Sequence, residues 1–104
     1  LLRQVEYDDI LVNLSAKTML LKMFYEREEF DALESLLESV RSFMQRKKVI
    51  GYHKSNYKNI IRYTRKLLKV NPYNKTALQR LGGEIEAANP LTEREWLLRQ
   101  LERM

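Results

Sequence analysis

Few side chains in this sequence could carry chemistry, and their surroundings narrow it further. His53 is the sole histidine. It stands near a predicted helix start with no supporting motif, so no Ser–His–Asp arrangement can be argued around it, and it reads as a partly exposed polar residue. Glu26, Glu28, Glu29 and Asp31 form an acidic cluster. They lack the alternating ligands and the turn glycine of a calcium loop. Gly82-Gly83 is neither a P-loop nor a dinucleotide fingerprint, and reads as a helix-packing or kink site. The sequence has no cysteine, which removes thiolate nucleophiles, disulfides and cysteine metal sites. No catalytic residue, metal site or cofactor is expected, and the chain is read as a non-enzyme.

The basic residues have more to say. From Ser39 to Gly83 there are twelve lysines and arginines and no acid, whereas residues 1–38 hold nine acids against four bases and residues 84–104 five against three. The net charge of +5 therefore hides a +12 centre between acidic flanks. At about 100° per residue, Lys54, Lys58, Arg62, Arg65, Lys66 and Lys69 share an arc of about 120° on one predicted helix. Tyr57, Ile60, Ile61, Thr64, Leu67 and Leu68 take the opposite arc. Such a stripe can bind nucleic-acid phosphates, with Tyr63 or Tyr73, read as exposed, stacking on bases. It can equally dock an acidic protein segment, including the acidic upstream part of its own chain. The plainest reading is that the solvated face of an amphipathic helix must be charged. No nucleic-acid-binding motif accompanies the charge, which ranks the protein partner above the nucleic acid.

Positioning these residues falls to helices. At 104 residues, with 44% hydrophobic and 32% charged content, the chain suits one soluble domain, here 1–104. Three glycines and two prolines are too few for a many-turned sandwich. The longest apolar run, Met19-Leu20-Leu21, cannot span a bilayer. Helical periodicity predicts five helices. The first covers about 9–27, capped by Asp8 or Asp9. The second covers about 31–48, with Asp31 and Glu34 at capping-box spacing, Phe30 stapling its start and Gly51 as its stop. The third covers about 52–70 and ends at Asn71-Pro72. The fourth covers about 75–88, capped by Asn74, with a bend or close crossing expected at its glycine pair. The fifth covers about 93–104, opened by a Thr92/Glu95 capping box and anchored by Trp96 in the core; an interface role for that tryptophan is the alternative. Short linkers imply that consecutive helices pack as antiparallel hairpins. The first helix carries apolar residues on more than one face, so an exposed patch is expected there, covered by missing repeats or by self-association.

The stretch Leu20 to Leu33 resembles a tetratricopeptide (TPR) repeat. Leu20 and Phe24 match its apolar and aromatic positions on helix A, Phe30 the aromatic at the turn, Ala32 the small residue of helix B, and Leu36 and Ser39 the bulky and small residues that follow. The usual turn glycine is missing, with Glu28 near its place, and the turn is one residue short. The chain as a whole is similar to the C-terminal segment of uncharacterised bacterial TPR-like proteins. The resemblance implies a short all-α solenoid of stacked hairpins, a protein-binding scaffold, and a concave groove faced by Thr18, Lys22 and Tyr25. The Lys/Asn pattern by which some TPR domains hold a C-terminal carboxylate is not evident.

These readings combine into a non-catalytic protein-interaction module. The alternative is a nucleic-acid-binding module using the basic face of residues 54–69: Lys54, Lys58, Arg62, Arg65 and Lys69. Self-association through the first helix is a further expectation. The chain opens Leu1-Leu2-Arg3 without Met, leaving a signal peptide or further repeats upstream both open. A cytoplasmic location is favoured.

Overall fold

A computed structural model describes residues 3–104. Leu1 and Leu2 lie outside the described residues. The described chain is all-α, with no strand: α1 (Gln4–Glu26), α2 (Phe30–Arg46), α3 (Gly51–Lys69), α4 (Lys75–Ala87) and α5 (Arg94–Glu102). None of these helices is long and apolar enough to cross a membrane. The chain divides into two compact units, Leu1–Lys48 and Val49–Met104. The boundary falls at a backbone break, where Lys48 (φ 53°) and Gly51 (φ 66°) both enter the left-handed region.

The first unit is the α1–α2 hairpin. Its core is built from Ile10, Leu14, Thr18 and Leu21 of α1 and Leu33, Leu37, Val40, Phe43 and Met44 of α2. The spacing of each set keeps it on one helical face. Lys17 and Arg46 lay their cationic ends over the Phe43 ring, at 4.7 and 5.9 Å from its centroid. The start of α1 lies well before Asp8 and Asp9: the Glu6 carboxylate accepts the Arg3 backbone N–H at 3.4 Å, and both aspartates sit inside the helix. Likewise α2 opens at Phe30 with Glu29 as its cap residue, so Asp31 contributes charge in the first turn and caps nothing. Gly51 does not stop α2; Lys48 takes the left-handed position and donates its N–H to the Gln45 carbonyl at 3.3 Å.

The turn between the two helices explains the missing glycine. Glu28 adopts φ 58°, its N–H donates to the Tyr25 carbonyl at 3.1 Å, and the Glu29 N–H donates to the Phe24 carbonyl at 2.9 Å. That pair of bonds is a Schellman motif, which closes the last carbonyls of α1 and prefers Gly at the left-handed residue. A glutamate stands there at a conformational cost of about 1 kcal/mol. The rings of Tyr25 and Phe30 then meet edge-on, with centroids 6.0 Å apart.

In the second unit the close helix contacts are α3–α5 and α4–α5. The short α5, not the consecutive α3–α4 pair, therefore completes the packing, which departs from the hairpin-by-hairpin order expected. Trp96 and Leu97 of α5 are buried together with Ile60, Ile61, Tyr63 and Leu67 of α3 and Leu81 and Ile85 of α4. Asn74 caps α4, its Oδ1 accepting the Ala77 N–H at 3.0 Å. The helix runs unbroken through Gly82-Gly83; a methyl on Gly82 would meet only Leu101 Cδ1 at 3.8 Å, an ordinary contact.

Candidate interaction surfaces

Two helix faces stand out, one in each unit. In α1 the buried set Ile10, Leu14, Thr18 and Leu21 spans about 80° of the helical wheel. Centred opposite it, within about 60°, are Val5, Val12, Ala16, Met19 and Met23. Four of these are large apolar side chains left open to solvent: Val5 71%, Val12 68%, Met19 68% and Met23 47% exposed. Leu20, at 41%, borders the stripe. A helix that is apolar on two opposite faces belongs between two neighbours, and α2 supplies one of them. The far end of the stripe is dished, in a shallow open depression lined by Met19, Lys22, Met23, Glu26 and Arg27. Two methionines with several rotatable bonds make this a surface that adapts to what it meets.

The three residues that the TPR resemblance assigns to a groove are not alike. Thr18 is buried, and its hydroxyl donates to the Leu14 carbonyl at 2.9 Å, so this side chain is not presented to solvent. It belongs to the inward set because it stands four residues after Leu14. Lys22 and Tyr25 are partly buried at the flank. Burial pushes the Tyr25 hydroxyl above its ordinary pKa of 10.0. Of the residues that carry the resemblance, Phe24 and Leu36 are partly buried, whereas Leu20, Phe30, Ala32 and Ser39 are exposed. The inter-helix contact runs instead through Leu33, Leu37 and Val40.

The second face is the cationic side of α3. Lys54, Lys58, Arg62 and Lys69 are exposed, and Arg65 is partly exposed. Lys66 is engaged: its Nζ lies 2.6 Å from Glu84 Oε1 and 5.6 Å from the Tyr63 ring centroid. Opposite, Ile60, Ile61, Thr64 and Leu67 are buried, with Tyr57 and Leu68 partly so. Tyr63, expected to be an exposed stacking platform, is only 7% exposed: it lies at the edge of the inner arc, beside Ile60 and Leu67. Tyr73, in the turn after α3, is 92% exposed. His53 is partly buried and meets the Tyr52 ring edge-on at 5.4 Å.

Sequence reasoning missed the polar clasp that fixes the α3 and α5 ends of the second unit. Asn56 is buried; its Nδ2 donates to Thr92 Oγ1 at 3.0 Å, and its Oδ1 accepts the Thr92 N–H at 2.8 Å. Asn59 Nδ2 donates to the Pro90 carbonyl at 2.9 Å. Thr92 thus serves Asn56 rather than a capping box, and Glu93 is the cap residue of α5. The Arg94 guanidinium reaches back to the carbonyls that end α4, donating to Ile85 at 3.2 Å and also to Ala88. Two asparagines one turn apart on an otherwise apolar-to-basic helix were the available signal.

Among the described residues no group of three or more His, Cys, Asp or Glu side chains is placed to hold a metal ion. Comparison with protein-family models, with curated proteins and with solved structures found no match to this chain.

Proposed function

We propose that this chain is a non-catalytic, TPR-like helical module that holds a protein partner, and that the outward face of α1 is the surface that does so. The observation that carries this is the run Val5, Val12, Met19 and Met23, exposed on a helix whose opposite side already packs on α2. Monomeric soluble proteins rarely leave such aligned apolar area uncovered without a use for it. The TPR-like part of the reading draws on the α1–α2 hairpin and its tight turn, not on the small-residue contacts of the repeat. The test is affinity capture from an extract of the source cells, with the wild type beside Met19→Glu. Proteins retained by the wild type and lost by the variant support the module. Equal retention by both overturns this surface as the binding face.

A second reading is favoured by a separate observation, the run of exposed cations Lys54, Lys58, Arg62 and Lys69 with Arg65 beside them. In this reading the face follows a nucleic-acid backbone, or an acidic protein segment, by charge alone. Of the two tyrosines read as stacking platforms, Tyr63 is buried and Tyr73 remains, which weakens the nucleic-acid form of it. Five phosphate contacts would give a salt dependence of roughly −3.5 to −4.5 in log–log slope. Fluorescence anisotropy with random single- and double-stranded oligonucleotides measures it. Binding lost in Lys58→Glu/Arg62→Glu/Arg65→Glu promotes this reading, and no binding at low salt removes it.

A further inference from the structure

We infer that the occupant of the α1 outward face is a second copy of this chain, packed antiparallel so that α1 meets α1. The inference rests on the interaction-module reading above and adds the identity of the partner. Its basis is the distribution of charge along the stripe. On the outward side of the helix the first half carries Asp8 and Asp9 with no base, while the second half carries Lys22 and Arg27 against Glu26; Lys17 is turned the other way, over the Phe43 ring of α2. A purely acidic segment would match only the second half of this surface, and a basic one only the first. The surface that matches both has the same charge order reversed, and α1 itself offers that order when turned end for end.

The geometry is consistent in detail. A two-fold axis across the middle of the stripe places Val12 against the partner's Met19, with Ala16, the small residue of the stripe, near the crossing. The same register brings Asp8 to the flank that holds the partner's Lys22, twice by symmetry. A parallel pairing would instead bring the two acidic halves to one end and the two basic halves to the other, so charge selects the antiparallel form. Asp8 is exposed and already oriented by Gln4, whose Nε2 donates to Asp8 Oδ1 at 2.8 Å. The stripe is about 27 Å long and one helix wide. A seam one helix wide falls in the class of small, reversible interfaces, below about 1,200 Å² in total, so the dimer is expected to be weak.

The experiment is sedimentation equilibrium of the whole chain from about 1 µM to 1 mM, with helical content checked by circular dichroism. The expected result is a mass rising from 12.5 kDa toward twice that value. Met19→Glu should remain monomeric throughout. Asp8→Lys and Lys22→Glu should each weaken the dimer at least fivefold. An equimolar mixture of those two variants should recover to within about twofold of the wild type, because each then meets its opposite charge across the seam. Recovery on mixing also reports the register independently of any effect on folding. A wild type that stays at 12.5 kDa at 1 mM overturns the inference, as does a Met19→Glu dimer as tight as the wild type. Failure of the mixture to recover overturns the antiparallel seam. A strict monomer that still captures a Met19-dependent partner sinks the self-association and leaves the module reading intact; a strict monomer that captures none sinks both.

Discussion

α1 and α3 are similar in length and opposite in design. In α3 each residue has one destination: Ile60, Ile61, Thr64 and Leu67 face inward, and Lys54, Lys58, Arg62 and Lys69 face water. In α1 the inward set Ile10, Leu14, Thr18 and Leu21 is backed by an equally apolar outward set. The difference shows what periodicity reports. A helix whose pattern is satisfied within its own unit reads cleanly, and a helix with a second apolar side keeps a face that its own unit does not cover.

Substitutions test the contrast directly. The largest effect should come from truncating inward residues. Leu14→Ala and Ile60→Ala, at positions 0% and 2% exposed, should each destabilise by about 3 kcal/mol in urea unfolding. Val12→Ala, one face away from Leu14 and 68% exposed, should change stability of dilute protein by no more than about 0.5 kcal/mol. If Val12→Ala cost as much as Leu14→Ala, the outward face would be core, and the distinction between the two helices would vanish.

Next in size is the clasp of the second unit. Asn56→Ala removes both bonds to Thr92 and leaves the Thr92 N–H without its acceptor, and should cost about 2 kcal/mol. Two substitutions should act in the other direction. Thr64 is fully buried and its Oγ1 finds no partner, so Thr64→Val should stabilise by about 1 kcal/mol. Glu28→Gly should gain somewhat less, about 0.5–1 kcal/mol, by giving the left-handed turn residue the type it favours. Loss of stability in Glu28→Gly would mean that its side chain does more than occupy a turn.

The smallest effect is a titration. Burial raises the Tyr25 hydroxyl pKa, and burial together with the nearby Glu93 carboxylate raises that of Tyr57, both above 10.0. The folded chain therefore holds these two protons more tightly than the unfolded chain. The associated stability is fully present below pH 10 and is lost as pH rises through the folded values. Absorbance at 295 nm, with Tyr25→Phe and Tyr57→Phe beside the wild type, should assign a late ionisation to each of these two residues.

Much of the fold was legible because it depends on neighbours in sequence. The five helices, the inner and outer arcs of α3 and the Asn74 cap all follow from residues within one or two turns of each other. What stayed hidden depends on distant partners. Thr92 looks like a cap residue until Asn56, thirty-six positions earlier, claims its hydroxyl. Tyr63 falls between the cationic and inward arcs of α3, and only tertiary packing decides that it is covered. Asp8 and Asp9 resemble a helix start, but aspartate tolerates the first turns of a helix, and the chain had begun to wind at Gln4. For the candidate surfaces, the basic stripe could be drawn from spacing alone. The outward α1 stripe could be anticipated but not assigned, since deciding which apolar face is the inner one required α2.

Arg94 has a consequence of its own. By gripping the carbonyls of Ile85 and Ala88, the first residue of α5 ties down the last turn of α4. The tail of α4 therefore cannot fray alone, and its amides should trade hydrogen for deuterium in step with those of α5. The peptide bond after Arg94 should resist trypsin for as long as that grip holds, so the first nick within residues 85–103 should fall at Arg99 or Arg103 instead.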